Sequence, residues 1–200
     1  MVNVSEITPR ERRRRVLILC FLAIRNIAFH RASRKANLSY DDTQFWLSIS
    51  NNFLDIAVLE WSKVFELRWD REKRRRVGGK HHWQRVVSQS HVFETRLYAE
   101  LGISSQDFSD YMTIVKTYRD KFVAHLDDRK DLEPPDLELA VRSASFLISF
   151  IHLNDGKTDG SYDLMESPSD FYDRSFGRAV GIVSMIDRST LHSSRLLACT

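Results

Sequence analysis

Residues 104–122 read SSQDFSDYMTIVKTYRDKF, and this stretch decides the fold class of the chain. Its apolar and aromatic residues recur at intervals of three and four, which is the spacing of one helix face and not of a strand. These residues are Phe108, Tyr111, Val115, Tyr118 and Phe122. Ser104 or Ser105 is the predicted N-cap, and Asp107 lies in the first turn, where negative charge suits the helix dipole. The stretch therefore predicts a core-facing helix of a helical bundle.

Helical spacing also recurs on both sides of this stretch. The predicted helices run over residues 9–30 or one turn further, 43–69, 82–101, from Ser104 or Ser105 onward, and 136–153. Five helices with short connections predict an all-α fold, namely an antiparallel bundle with four to five main helices. We expect residues 1–153 to form this bundle. Residues 154–200 predict a loop, followed by a C-terminal helix over 171–186 or a less ordered tail.

Composition restricts the class of protein. The chain has 200 residues, of which 42% are hydrophobic, so it is long enough for one domain with a core. Its two cysteines, Cys20 and Cys199, are too few for a disulfide framework or a four-cysteine zinc site. His81 and His82 lack metal-ligand spacing and are predicted to be solvated loop residues. We expect reduced thiols, no metal and a cytoplasmic location.

The N-terminal region resembles a signal peptide only superficially. Its longest apolar run, residues 16–24, has nine residues, whereas a membrane-spanning helix needs about 20. Glu6 and Glu11 dilute the preceding basic stretch, and Arg25 and Asn26 stand where small residues would mark a cleavage site. We expect an amphipathic first helix and no membrane partner.

Charge is distributed unevenly along the chain. Residues 1–100 hold 19 basic and 11 acidic side chains, and residues 101–200 hold 11 basic and 16 acidic ones. Arginine clusters at residues 12–15 and 68–76 are candidate surfaces for nucleic-acid phosphates, with Trp69 and Trp83 as stacking platforms. Solvated helix ends, or pairing of the basic half with the acidic half of another copy, would explain the same pattern.

Residues 118–127 read YRDKFVAHLD, which contains an arginine, a polar residue directly after it, and a histidine six positions after the arginine. This pattern, at the end of a bundle helix, resembles the HEPN domain, in particular that of U-type abortive-infection proteins. The resemblance covers residues 15–153. It implies a metal-independent endoribonuclease of a bacterial phage-defence or toxin–antitoxin system, without a cofactor. An antitoxin or defence-system protein would be a further partner.

The resemblance also implies a role for each residue of the motif. His125 would act as general base or acid, Arg119 would bind the scissile phosphate, and Asp120 would orient one of these two. Lys121 and the arginines of the 68–76 cluster are the predicted RNA-binding residues. These arginines are Arg74, Arg75 and Arg76.

Helix geometry bears on this site. On a straight helix Arg119 and His125 would lie about 120° apart around the axis and about 9 Å apart along it. They converge if the arginine reaches round, if the helix end unwinds, or if two protomers share the site. The family usually shares the site between protomers, which predicts a homodimer. Surface ion pairs without any catalytic role, in which Asp120 and Asp127 pair with Arg119, Lys121 or Arg129, would explain the same residues.

Three alternatives fit the same sequence. Arg25, Asn26 and His30 form a second arginine–polar–histidine stretch, inside the first helix. The chain as a whole would also suit a non-catalytic HEPN-like module that binds RNA or a protein partner through its arginine clusters, or a subunit that only assembles with neighbours.

Overall fold

The structure is a computed structural model that describes residues 7–35, 40–70, 72, 74–123, 133–155 and 166–197. Six α-helices and one two-stranded hairpin make up most of the described chain, and the predicted all-α class is confirmed. The elements are α1 (Pro9–Lys35), α2 (Tyr40–Phe65), β1 (Leu67–Asp70), β2 (Arg75–Gly78), a 3-10 turn (Trp83–Arg85), α3 (Ser90–Leu101), α4 (Ser105–Tyr118), a π-turn (Arg119–Val123), α5 (Leu137–Phe150), a second π-turn (Ile151–Asp155) and α6 (Pro168–Leu197).

The helix that decides the fold begins where the sequence predicts. The Ser104 hydroxyl accepts a hydrogen bond from the backbone N–H of Asp107, and the Asp107 carboxylate accepts one from the Ser104 N–H, which completes a capping box. The Asp136 carboxylate caps α5 in a similar way, and Gly102 ends α3 in the left-handed conformation with φ 70°. Local side-chain chemistry therefore sets these three helix ends.

Trp61 of α2 lies at the centre of the core. It stacks on Phe65 with 5.0 Å between ring centroids and meets the Tyr111 ring edge to face at 5.3 Å. Its indole N–H donates to the Ser143 hydroxyl at 2.9 Å, so the polar atom of this buried ring is satisfied. These contacts join α2, α4 and α5 around one aromatic cluster.

Helix α1 runs through the core and packs against α2, α5 and α6. Among the described helices it is the one long and apolar enough to cross a membrane, with a mean hydropathy of 1.4 over its most apolar window. Of that window, 56% is buried inside the structure. A buried core helix passes the same length and composition test, so the finding is weak support for a membrane span.

The C-terminal region is more helical than the sequence predicts. The expected helix over 171–186 is instead α6, which begins at Pro168 and continues to Leu197. The Ser167 hydroxyl accepts a hydrogen bond from the Asp170 N–H at 3.1 Å and so caps its first turn. Phe171 packs edge to face on Phe21 of α1 at 4.9 Å. Helix α6 therefore adds to the bundle formed by the preceding helices.

The segment after α2 departs from its prediction. Helix α2 was expected to continue to Trp69, but it ends at Phe65, and an antiparallel hairpin with Asp70 opposite Arg75 follows. His82, predicted to be solvated, is only 1% exposed, and its Nε2 lies 3.1 Å from the Phe65 carbonyl. A Cβ at Gly78 would lie 2.3 Å from the His82 ring, so this close approach requires glycine. The His82 contact fixes the hairpin to the end of α2.

The third predicted helix is also shorter than expected. The sequence predicted it over residues 82–101, whereas the structure forms a 3-10 turn at Trp83–Arg85 and begins α3 at Ser90. The His82 side chain accepts the Gln84 N–H and caps the 3-10 turn. The buried Trp83 ring packs against Phe93 with centroids 4.6 Å apart. Trp83 is therefore a core residue and not an exposed stacking platform.

Candidate functional site

The end of α4 holds Arg119 in a network of carboxylates. Its Nε donates to the Asp120 carboxylate at 2.9 Å, its Nη2 donates to the same oxygen, and its Nη1 forms an ion pair with Glu66. The Arg119 side chain is 15% exposed and that of Glu66 is 6% exposed. These bonds use three of the five N–H groups of the guanidinium, and the other two have no partner among the residues that the structure describes.

Regular α-helix geometry ends at this motif. Helix α4 ends at Tyr118, and residues Arg119–Val123 form a π-turn. π-Turns are rare in proteins overall, but those that occur often lie at functional sites. Lys121 lies inside the turn and is half-buried. His125 lies outside the described residues, so its predicted approach to Arg119 stays a prediction.

The charges of this site nearly cancel. Lys116 forms an ion pair with Asp120, so two cations, Arg119 and Lys116, face two carboxylates, those of Asp120 and Glu66. Burial alone would lower the pKa of Arg119, but its bonds to Asp120 and Glu66 raise that pKa above the usual value. Burial would raise the pKa of Asp120, but bonds from Lys116 and Arg119 lower it overall. Arg119 is therefore positively charged at every physiological pH.

A second set of polar contacts joins α4 to α2. The Tyr118 hydroxyl donates to Asp55 of α2 at 3.3 Å. Burial raises the pKa of Asp55, and it raises the pKa of Tyr118, where the charge of Asp55 acts in the same direction. Burial lowers the pKa of His30, and the negative charge of Asp55 partly opposes this shift. Asp55 of α2 and Glu66, the residue directly after α2, thus bond to Tyr118 and Arg119, and the sequence did not single out either acid.

The second arginine–histidine stretch is placed differently, inside α1. Arg25 is exposed and lies over Phe29, with 5.9 Å from its guanidinium carbon to the ring centroid. Asn26 is buried and donates to the Leu22 carbonyl at 2.8 Å. His30 Nδ1 lies 2.8 Å from the Ser50 carbonyl of α2. Arg25 and His30 lie about 140° apart around the helix axis, so this stretch does not bring its two ends together.

The two predicted arginine clusters have different surroundings. In the first cluster, the positive charges of Arg12 and Arg15 in α1 disfavour protonation of His81. Lys63 and Lys80 have the same effect. Burial and these four cations lower the pKa of His81. In the hairpin, Arg74 is exposed and adopts a left-handed backbone with φ 48°. Arg75 and Arg76 belong to β2, and their side chains lie outside the described part of the structure.

A metal centre has no support among the residues that the structure describes. No group of three or more histidine, cysteine or acidic side chains gathers there. Cys20 is buried in the core, and burial raises the pKa of its thiol, so it is not a reactive thiolate. Comparisons of the chain with known protein families, with curated proteins and with solved structures each find no significant match.

Proposed function

We propose that the chain is a metal-independent endoribonuclease of HEPN type, with Arg119, Asp120 and His125 as its catalytic residues. The observation that carries this proposal is the state of Arg119. It is charged, held in one orientation by Asp120 and Glu66, and left with two N–H groups at the point where the helix becomes a π-turn. A fixed guanidinium with spare donors suits the growing negative charge of a phosphate in its transition state.

The reaction needs only groups of RNA and of this chain. His125 accepts the proton of a ribose 2′-hydroxyl, whose oxygen attacks the adjacent phosphorus. The bond from phosphorus to the 5′-oxygen breaks, and this oxygen leaves with the proton that His125 accepted. The products are a 2′,3′-cyclic phosphate and a 5′-hydroxyl end. Since histidine titrates near neutral pH, it suits this proton transfer.

The assembly and setting belong to the same proposal. The charges of Arg119, Lys116, Asp120 and Glu66 cancel, so a phosphate would need a further cation beside them, and Lys121 of the same π-turn is one. A homodimer as the active form follows from the HEPN resemblance, in which the site is usually shared between protomers. A bacterial defence or toxin–antitoxin system, a cytoplasmic location and an antitoxin or defence-system partner follow from the HEPN resemblance.

The test is cleavage of total RNA in EDTA by the wild type, His125→Ala and Arg119→Lys. His91→Ala is the matched control, because His91 is an exposed histidine of α3. Arg119→Lys keeps a cation beside Glu66, so it threatens the fold less than alanine does. We expect 2′,3′-cyclic ends from the wild type and from His91→Ala, and a loss of about 10²- to 10⁴-fold in His125→Ala. A strict metal requirement, or full activity in His125→Ala, would reject the proposal.

A second candidate, a non-catalytic module that binds RNA or a protein, is favoured by one observation. Glu66 is almost fully buried and directly paired with Arg119, as a purely structural ion pair would be. The predicted RNA-binding arginines would then carry the function. RNA binding that survives His125→Ala, but is lost when Arg74, Arg75 and Arg76 are all changed to glutamine, would support this candidate.

A further inference from the structure

A groove separates the C-terminal end of α1 from the beginning of α6. Its volume is about 580 Å³, within the usual range of ligand pockets, about 300–1,000 Å³. Arg31, Arg34 and Lys35 line it from α1, and Tyr172, Asp173 and Phe176 line it from α6. We call it the α1–α6 groove. It lies apart from the ion pair of Arg119 and Glu66, neither of which lines it.

The charge of this groove favours an anion. Three cations line it against one carboxylate, that of Asp173. Arg31 is already engaged, since it donates to the Tyr172 hydroxyl and to Glu138, both at 3.1 Å. Arg34 is exposed and forms neither a hydrogen bond nor an ion pair with the residues that the structure describes. Arg34 and Lys35 are therefore the cations best placed to take up phosphate.

Two aromatic rings form the α6 side of the groove. The Tyr172 and Phe176 rings are nearly parallel, with centroids 6.3 Å apart and 12° between their planes. Lys35 Nζ lies 5.1 Å from the Phe176 centroid. Because Lys35 is exposed, its ammonium group can move from the ring to a phosphate and leave the ring face to a base.

His30 adds a hydrogen-bond acceptor to the groove. Its Nδ1 lies 2.8 Å from the Ser50 carbonyl, which can only accept, so Nδ1 carries the proton and Nε2 has the lone pair. Burial lowers the pKa of His30, which keeps the ring neutral. The ring lines the groove, and its Nε2 suits a sugar hydroxyl or a base N–H.

The groove continues past its aromatic side. A second cavity of about 600 Å³ shares Arg31, Tyr172 and Asp173 with it and extends along α5, past Ser145 and Ser149. Glu100, Glu138 and Arg142 also line this cavity, so its charge does not favour phosphate and the phosphate contacts belong to the α1–α6 groove. Two adjoining cavities with a common wall suit an extended ligand better than a single small molecule. A strand with repeating phosphates and bases has this form.

We propose that the α1–α6 groove binds single-stranded RNA, with phosphates at Arg34 and Lys35 and a base on Phe176. The choice of RNA rests on the proposed function, but binding to the groove requires neither Arg119 nor His125. The groove would hold the strand while the α4 end acts on it.

Fluorescence anisotropy in EDTA tests this proposal. The probe is a labelled 2′-fluoro oligoadenylate of about ten nucleotides, which fits the site size of a single-strand surface and lacks the hydroxyl needed for cleavage. The charge variant is Arg34→Glu with Lys35→Glu, and its matched control is Arg85→Glu with Arg96→Glu, two exposed arginines outside the groove. The base-stacking variant is Phe176→Ala, measured also with an abasic strand. Circular dichroism verifies that each variant is folded.

We expect the charge variant to bind more weakly and to lower the salt-dependence slope by about 1.4, the value for two phosphate contacts on a single strand. Phe176→Ala should lose about 5- to 150-fold in affinity for the oligoadenylate and nothing for the abasic strand. The control should bind like the wild type.

The outcomes separate this inference from the proposed function. Equal binding by the groove variants and the wild type would reject the proposal that the α1–α6 groove binds RNA, even if the wild type cleaves RNA in EDTA. Failure of the wild type to bind the probe at low salt would overturn it as well. Loss of binding in the groove variants, together with no cleavage by any protein, would support the groove and reject the nuclease.

Discussion

Two stretches of the chain share an arginine–polar–histidine pattern, but they lie in different surroundings. In α1, His30 is neutral and bonds to the Ser50 carbonyl, while Asn26 bonds within its own helix. At the end of α4, Arg119 is charged and bound by two carboxylates. The comparison teaches that the same residue pattern gives a helix-packing contact inside a helix and an ionic site at a helix end.

The largest expected effect comes from breaking the ion pair at the α4 end. Arg119→Ala should lower the free energy of unfolding by about 3–5 kcal/mol, because it leaves the buried Glu66 carboxylate without a partner. Urea unfolding measures this change. The double variant Arg119→Ala with Glu66→Ala should recover part of the loss, since both buried charges are then removed. If Arg119→Ala is as stable as the wild type, the ion pair of Arg119 and Glu66 does not stabilise the fold.

A pH titration of stability should separate neutral histidines from the ion pair. Burial lowers the pKa of His30, and it lowers that of His82 to about 4. The unfolded chain then binds more protons than the native chain below pH ~6.5, so stability is complete above that pH and falls as pH decreases. His82 alone accounts for about 3 kcal/mol between pH 7 and pH 4.

Urea unfolding from pH 7 to pH 4.5 checks this titration. His82→Gln should flatten the pH dependence. The remainder should follow His30 and His81, whose pKa values are also lowered, and Asp55, whose raised pKa acts in the opposite direction and favours the native chain as pH falls. The pKa of Asp120 is lowered from an already acidic value, so its contribution is lost only below this pH range. A wild-type stability that does not change over the range would contradict the assignment.

A smaller effect is expected from the α1 stretch itself. His30→Ala should cost about 1–2 kcal/mol, because the Ser50 carbonyl loses its hydrogen-bond donor in a partly buried contact. Chemical unfolding at pH 7.5, above the lowered pKa of His30, measures it. The exposed His91 provides the matched control, and His91→Ala should change stability by less than about 0.5 kcal/mol.

The smallest effect concerns the outer ion pair of the α4 site. Lys116→Ala should cost at most about 0.5 kcal/mol, since Lys116 and Asp120 are an exposed pair one helical turn apart. Lys63→Ala, which removes the ion pair between the exposed Lys63 and the half-buried Glu60, is the comparison and should cost a similar amount. Thermal unfolding at low and high salt checks both variants. A loss above 1 kcal/mol for Lys116→Ala alone would show that it also holds Arg119 in place.

Local signals in the sequence predict much of the bundle. The Ser104–Asp107 capping box and the Asp136 cap depend on residues three positions apart or fewer, so helices α4 and α5 begin where the pattern places them. The hairpin after α2 was missed, because its formation depends on the buried His82 side chain, 17 positions after Phe65. The sequence also singled out Arg119 and Asp120, but not Glu66, which lies 53 positions from Arg119. Pairing over such distances leaves no periodic trace in the chain.

The most direct test of the central claim compares the two stretches in one assay. Single-turnover cleavage of RNA in EDTA is measured for the wild type, His125→Ala and His30→Ala, each verified to be folded. We expect His125→Ala to lose about 10²- to 10⁴-fold in rate. His30→Ala should keep the wild-type chemical step, because saturating protein compensates for any weaker binding in the α1–α6 groove. Full activity in His125→Ala together with loss in His30→Ala would contradict it and assign the reaction to α1.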